Sequence, residues 1–202
     1  GNDGETVSNL PGTLFRYGLC ERIELRAGFD GWISDSALDE SGFGDSAVSV
    51  KVRLYGENGM LPDTALLAGV SVPTGGDSFT TDAFDPTVRM AFAHTLSDAL
   101  GLGYNVAWRR ETVPGANSDE TLDFVPYSAA LGMGLTGRLS AFAEVFGESA
   151  LDDGAEGATS LDGGFTYLLA ENMQLDAAVG FGLTEYADDW FAGAGFTIRL
   201  PE

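Results

Sequence analysis

The chain has 202 residues and a formal net charge of −21, because it contains 31 acidic residues and only 10 basic ones. Such an acidic chain lacks the clustered Lys and Arg that phosphates require, which argues against nucleic acid and against docking on anionic lipid through a basic patch. No apolar run reaches the roughly 18 residues that a membrane-spanning helix needs.

Apolar and polar residues alternate along most of the chain, which is the period of β-strands. The pattern predicts one domain over 1–202, because no linker interrupts it. A short helix is conceivable only over 138–148, which lies between strands and is better counted as one. The predicted strands number eleven and cover 13–19, 23–33, 45–55, 64–73, 85–96, 99–110, 122–134, 139–148, 158–169, 173–183 and 190–200.

The connections between these strands are alternately short and long. The short ones are tight turns such as "SD" and "LTGR", whereas the long ones are polar and rich in Asp, Gly and Ser. Outer-membrane barrels show this alternation, with short periplasmic turns and longer external loops, and soluble sandwiches have no reason for it. Several of the predicted strands also have the length of a membrane-crossing β-strand rather than the five or six residues typical of soluble sheets. The sequence therefore predicts an all-β, antiparallel, up-and-down transmembrane β-barrel.

The position of the charges decides which face of the strands points inward. Lys51, the only lysine, alternates with valines in its strand, as does Arg53. If the apolar faces meet lipid, the polar faces line a lumen that contains seven basic and five acidic residues. These are Arg16, Arg26, Lys51, Arg53, Arg89, Arg109 and Arg199 together with Glu24, Asp30, Glu144, Asp162 and Asp176.

This distribution predicts a barrel that is acidic at its rims and mildly basic inside. Glu24 is the expected partner of Lys51 and Arg53, because its strand neighbours theirs. The alternative is a soluble sheet whose apolar faces form a packed core, and the loop alternation and strand lengths argue against it.

Eleven strands would bring the first and last strands together in parallel, whereas bacterial barrels are antiparallel and even-stranded. We therefore expect about twelve strands, the first of which precedes this sequence. Residues 1–12 are predicted to be the external loop that follows that strand.

The segments "LFRYGLCERIELRAGFDGW" (14–32) and "SGFGDSAVSVKVRLYGENGMLPDTALLAGVSVPTG" (41–75) resemble a bacterial outer-membrane family, the one named for the MetA pathway of phenol degradation. The resemblance implies an outer-membrane β-barrel that passes small, often aromatic, organic molecules. It implies no catalytic motif. Two departures are the missing strand ahead of "LPGTLFRYGL" and the ending "RLPE", where such barrels commonly end on an aromatic residue.

Three motifs with other possible chemistry are better explained structurally. "GMGLTG" (132–137) matches G-x-G-x-x-G but ends a strand in a turn rather than opening a helix. The "HTLSD" segment (94–98) would need His94 and Ser97 to be presented together at a membrane rim for lipase-like catalysis. The acidic segments 35–45 and 151–157 lack the spacing of a calcium loop. No enzymatic activity, cofactor or metal is predicted.

Glycines at inward parity occur in facing pairs on neighbouring strands. These glycines could allow the strands to curve and the backbones to approach closely, or they could leave free space for a permeant. The sequence does not decide between these two roles. The pairs are Gly101 and Gly103 with Gly132 and Gly134, and Gly180 and Gly182 with Gly193 and Gly195.

The function that these patterns favour is a passive or weakly selective channel for small organic solutes in the bacterial outer membrane. A basic lumen would favour neutral or anionic permeants, and inward aromatic residues would offer stacking faces. A non-conducting barrel that acts as a surface scaffold or adhesin is the alternative. Beside the charged residues above, the predicted lumen lining includes Trp32, Phe142, Phe146 and Phe191.

Overall fold

The computed structural model describes residues 6–76, 78–113 and 119–200. Within these residues no helix is long and apolar enough to cross a membrane. The described residues form strands β1 (Val7–Leu10), β2 (Thr13–Cys20), β3 (Ile23–Phe29), β4 (Trp32–Asp35), β5 (Glu40–Phe43), β6 (Ser46–Tyr55), β7 (Asp63–Val72), β8 (Pro86–Thr95), β9 (Leu100–Val113), β10 (Glu120–Gly134), β11 (Leu139–Ala150), β12 (Thr159–Ala170), β13 (Met173–Gly182) and β14 (Phe191–Ile198).

Eleven of these strands form one continuous sheet in the order β2-β3-β6-β7-β8-β9-β10-β11-β12-β13-β14. Every neighbouring pair is antiparallel, so the chain runs up and down through the sheet. Each of the eleven predicted segments overlaps one strand of this sheet. Among the described residues, β2 and β14 are its two edges and do not pair with each other. A twelfth strand remains a prediction.

A second, three-stranded sheet lies where loops were predicted, and it corrects that expectation. β1 falls within 1–12 and pairs with β4, which begins in the predicted strand 23–33 and pairs in turn with β5 in the connection predicted between strands 23–33 and 45–55. The predicted strand 23–33 divides because Gly31 adopts a φ of 76°, a conformation that favours glycine. Residues 1–5 of the predicted loop lie outside the described residues.

The register of the main sheet sends polar and apolar residues to opposite faces. Glu24, Lys51, Leu67, Arg89 and Ala107 form one row across five strands, since each stands opposite the next. Directly opposed residues of an antiparallel sheet share a face and successive residues alternate, so this row and every second row from it define the inner face. The remaining residues of each strand define the outer face.

The outer face is apolar and uncovered. Val106 keeps 46% of its surface exposed and Phe181 keeps 50%. Only three hydrophobic residues among those described are buried: Ala65, Ala107 and Phe124, all on the inner face. A soluble sheet would bury its apolar face in a packed core, so this arrangement favours an outer face covered by lipid.

The substitution Val106→Arg tests the outer face. If the outer face lies in a bilayer, arginine near the midplane should lower the free energy of unfolding from liposomes by about 2–4 kcal/mol. Ala91→Arg is the matched control, because Ala91 lies beside Val106 on the next strand but on the inner face. Equal losses in the two variants, measured by denaturant titration, would contradict this orientation.

Candidate functional site

Three cavities lie along the inner face. The outer cavity, of about 520 Å³, is lined by β3 and β6–β9 at the end of the sheet where the long connections lie. The turn cavity, of about 380 Å³, lies at the opposite end, beside the short β2–β3 turn. The central cavity, of about 590 Å³, is lined by residues from β8 to β12. Open space therefore occurs along the inner face from one end of the strands to the other.

Arg109 dominates the outer cavity, and carboxylates neutralise it. Its guanidinium donates to Glu111 at 2.5 Å and to both carboxylate oxygens of Glu148 at 3.0 and 3.1 Å. It also lies over the ring of Phe124, 4.8 Å from the centroid. Arg109 is thus an ion-paired wall residue rather than a free cation.

Glu24 has a different partner from the one that the sequence suggested. It stands directly opposite Lys51 on the neighbouring strand, but its carboxylate accepts a 2.6 Å hydrogen bond from Arg26 on its own strand. Arg53 instead pairs with Asp63 on the strand beyond. Lys51, Glu24 and Arg53 all line the turn cavity, so the predicted charges lie together but pair differently.

The interior is not basic, which corrects the sequence-based expectation. Asp63, Glu111 and Glu148 are not among the residues predicted to line the lumen, yet they face inward and pair with arginines. β9 runs to Val113 and β11 to Ala150, each two or three residues beyond the predicted end. Continuing the two-residue alternation beyond residue 110 would have placed Glu111 on the inner face, and Glu148, the last residue of the predicted strand 139–148, has the same parity as Glu144.

Several predicted lining residues stand apart from the three cavities. Trp32 belongs to the small sheet, where its ring packs edge-to-face on Phe43 at 5.1 Å. Arg16 lies on edge strand β2 opposite Arg26, and Asp176 lies between Thr166 and Gly195. Arg199 donates a 3.4 Å hydrogen bond to the Glu171 carbonyl. Phe142 faces inward between Gly132 and Gly164.

Arg89 occupies the junction between two cavities. Of the described residues, it alone lines both the outer and the central cavity. It takes part in no ion pair and no side-chain hydrogen bond within 6–76, 78–113 and 119–200, in contrast to Arg26, Arg53 and Arg109. A guanidinium with this placement can bind an anion from the cavity.

Two carboxylates form the opposite wall of the central cavity. Glu144 on β11 and Asp162 on β12 are direct neighbours in the register. In the part of the chain that the structure describes, neither has a cationic partner, and Oδ1 of Asp162 is buried without a hydrogen bond. Like charges placed directly opposite each other are unfavourable, so this pair favours a cation between them.

Aromatic rings lie beside these carboxylates. Phe146 lines the central cavity, and its ring meets that of Phe191 edge-to-face at 5.7 Å. The ring of Phe191 covers Gly180, where any Cβ would collide with Phe191 and with Asp162. Gly180 thus allows Phe191 and Asp162 to pack closely against the backbone of β13.

The four facing glycines of β9 and β10 leave space open. A Cβ at Gly101, Gly103, Gly132 or Gly134 would meet nothing closer than a backbone oxygen at 3.7 Å. These four residues form a bare wall at the short-turn ends of β9 and β10. Both explanations that the sequence allowed therefore apply, at different positions.

Asp45 organises the connection that follows β7. Its side chain, with 8% relative exposure for the residue, accepts hydrogen bonds from the backbone amides of Thr74, Gly75 and Thr81 at 2.9 to 3.3 Å. Asp30 lies close by and donates its backbone amide to the Asp45 carbonyl. Partial burial, and then repulsion from Asp45, raise the pKa of the Asp30 carboxyl above its usual value.

The remaining motifs occupy structural positions. "GMGLTG" ends β10 and enters the tight turn to β11, where Leu135 and Thr136 donate to the Leu139 carbonyl. His94 stacks on Tyr104 with ring centroids 6.0 Å apart and lies 4.0 Å from the Glu57 carboxylate. No group of three or more potential metal ligands occurs among the described residues.

Comparisons with known proteins agree with this architecture. Residues 3–200 match the model of the family described as "Putative MetA-pathway of phenol degradation". No curated protein matches the chain. The resemblance noted in the sequence is thereby confirmed.

Solved structures share the fold. The chain is similar to an outer membrane channel from Pseudomonas putida F1, with 19% identity and a TM-score of 0.58 over 91% of this chain and 77% of that one. It is also similar to a porin, with 13% identity and a TM-score of 0.52 over 94% of this chain. The chain spans 62% of that porin's length. The predicted all-β antiparallel barrel class is confirmed.

Replacing Asp45 with asparagine should loosen the connection after β7. Asparagine has one acceptor oxygen where aspartate has two, so an amide among Thr74, Gly75 and Thr81 loses its partner, at a cost of about 1–3 kcal/mol. Hydrogen exchange at these amides should accelerate. Asp82→Asn is the control, because Asp82 is exposed in the same connection and its φ of 52° suits asparagine. Unchanged exchange in Asp45→Asn would refute this role.

Replacing Asp30 with asparagine should raise the melting temperature at neutral pH. A carboxyl whose folded pKa is raised destabilises the folded state wherever it is ionised, so removing it helps above that pKa. The gain should vanish as the pH falls below the unfolded pKa. Asp39→Asn removes the same charge at an exposed site and should give no comparable gain. A gain independent of pH would contradict the assignment.

Proposed function

The chain belongs to the family named for the MetA pathway of phenol degradation, and from this premise we propose that it forms an outer-membrane channel. The channel would pass small organic solutes, aromatic ones among them, in a passive or weakly selective manner. Outer-membrane lipid would cover the apolar outer face, and the solutes would cross along the polar inner face.

The observation that carries this proposal is the series of cavities on the inner face. They extend from the long connections to the short turns and are lined by charged and small side chains. A barrel of about twelve strands lies between small filled barrels and wide porins, so a narrow passage is expected. The fold similarity to an outer membrane channel and to a porin supports the same function.

The aromatic preference has two supports. The family name refers to phenol degradation. Independently, Phe146 and Phe191 present rings beside the central cavity. Because most inner-face arginines are paired with carboxylates, the lumen as a whole would not favour anionic solutes. The charges around each cavity would instead decide which solutes pass.

The external end of the molecule favours a second candidate function, that of a surface scaffold. The small sheet exposes apolar side chains, with Leu10 71% and Phe43 62% exposed, among acidic connections. Such a surface can bind a partner without any conduction through the barrel.

Conductance of the full chain in planar bilayers separates the two functions. We expect discrete channel events from the wild type. Ser128→Trp should reduce the conductance several-fold, because Ser128 lines the central cavity. Ala129→Trp is the matched control. Ala129 follows Ser128 in β10, and its side chain lies on the outer face, where tryptophan is tolerated. A folded protein without conductance would contradict the channel and favour the scaffold.

A further inference from the structure

The central cavity contains unpaired charge of both signs. Arg89 contributes a cation, while Glu144 and Asp162 contribute two anions, and none of the three has an oppositely charged partner among the described residues. The other carboxylate in this cavity, Glu148, is bonded to Arg109. Elsewhere on the inner face, Arg26, Arg53 and Arg109 are neutralised by protein carboxylates. Lys51 in the turn cavity and Asp30 in the outer cavity also lack an ion pair among the described residues, and the central cavity differs in placing two neighbouring carboxylates, Glu144 and Asp162, in the same space as Arg89.

Opposite charges in this cavity stand on separate walls. Arg89 is on β8, whereas Glu144 is on β11, three strands further along the sheet. Adjacent strands lie about 4.8 Å apart, and Glu144 lies four residues along β11 from Glu148, which stands in the row of Arg89, so the two backbones are separated by roughly 14 Å across the strands and roughly 13 Å along them. The side chains of Arg89 and Glu144 bridge part of this distance but do not meet. The space that remains suits a small ligand.

The charges select a ligand that carries both signs. An anion could pair with Arg89 but would be repelled by the two carboxylates in the same cavity. A cation could pair with the carboxylates but would be repelled by Arg89. A guanidinium binds a carboxylate through two parallel hydrogen bonds, and an ammonium has three donors to share between two carboxylates. A zwitterion satisfies both walls at once.

The third wall is aromatic. Phe146 faces the cavity between Ser128 and Ser160 in the register, and Phe191 supports its ring. The Phe146 ring can pack against an aromatic group of the ligand at low entropic cost, since its own position is fixed.

We propose that the central cavity binds an aromatic amino acid or a similar aromatic zwitterion, with its carboxylate at Arg89 and its ammonium at Glu144 and Asp162. This inference rests on the proposed function, because it names the solute class that the channel would select. It assigns Arg89 as the anion site and the two carboxylates as the cation site.

Calorimetric titration of the detergent-folded full chain tests the proposal without requiring conduction. The probes are L-phenylalanine, 3-phenylpropionate and 2-phenylethylamine at neutral pH, which share a phenyl group and differ in charge. We expect L-phenylalanine to bind roughly tenfold more tightly than either analogue, because each analogue lacks one charged contact. Equal binding of L-phenylalanine and either analogue, or no binding at all, would overturn the proposal.

Variants assign the two charged walls. Arg89→Gln should weaken L-phenylalanine and 3-phenylpropionate binding but not that of the amine. Glu144→Gln combined with Asp162→Asn should weaken L-phenylalanine and the amine but not the acid. Lys51→Gln is the control, because Lys51 shares the Arg89 row but lines the turn cavity. An effect of Lys51→Gln equal to that of Arg89→Gln would overturn the assignment.

Bilayer recordings keep this inference separate from the proposed function. A protein that binds L-phenylalanine selectively but does not conduct would refute the channel and preserve the binding site. A protein that conducts but does not distinguish the three probes would preserve the channel and refute the site.

Discussion

The hydrogen-bond register of the eleven-stranded sheet is the constraint from which the other properties follow. Side chains alternate between faces at every residue, so a shift by one position would exchange the polar and apolar faces completely. With the observed register, Lys51, Arg89 and Glu144 lie inside, and Val106 and Phe181 lie outside. The ladder also satisfies the backbone groups between neighbouring strands, as a sheet in lipid requires.

Charge pairing on the inner face is a consequence of this register. Arginines placed inside by the alternation need anionic partners, because an unpaired charge away from bulk water is costly. Arg109 obtains two partners from strand ends, and Arg26 obtains one from its own strand. Arg89 differs because its direct neighbours in the register are Leu67 and Ala107, which carry no charge.

Much of this architecture could be predicted from the sequence, because the alternation of residues and the alternation of loop lengths are local signals. All eleven strands of the main sheet were identifiable in this way. The small sheet was not, since β1, β4 and β5 are four residues each and depend on contacts between distant segments. Ion-pair partners could not be predicted from the alternation of residues. Glu24 bonds to Arg26 and not to Lys51, because side-chain geometry decides which of the nearby cations it contacts.

The bare wall formed by Gly101, Gly103, Gly132 and Gly134 lies apart from the charges around Arg89. In the proposed channel, size and charge discrimination would therefore be located in different parts of the barrel. A single substitution of one of these glycines by alanine, serine or valine would narrow the passage without altering any ion pair. The fold could thus change its exclusion limit and its electrostatic preference in independent evolutionary steps, which makes it an adaptable scaffold for new permeants.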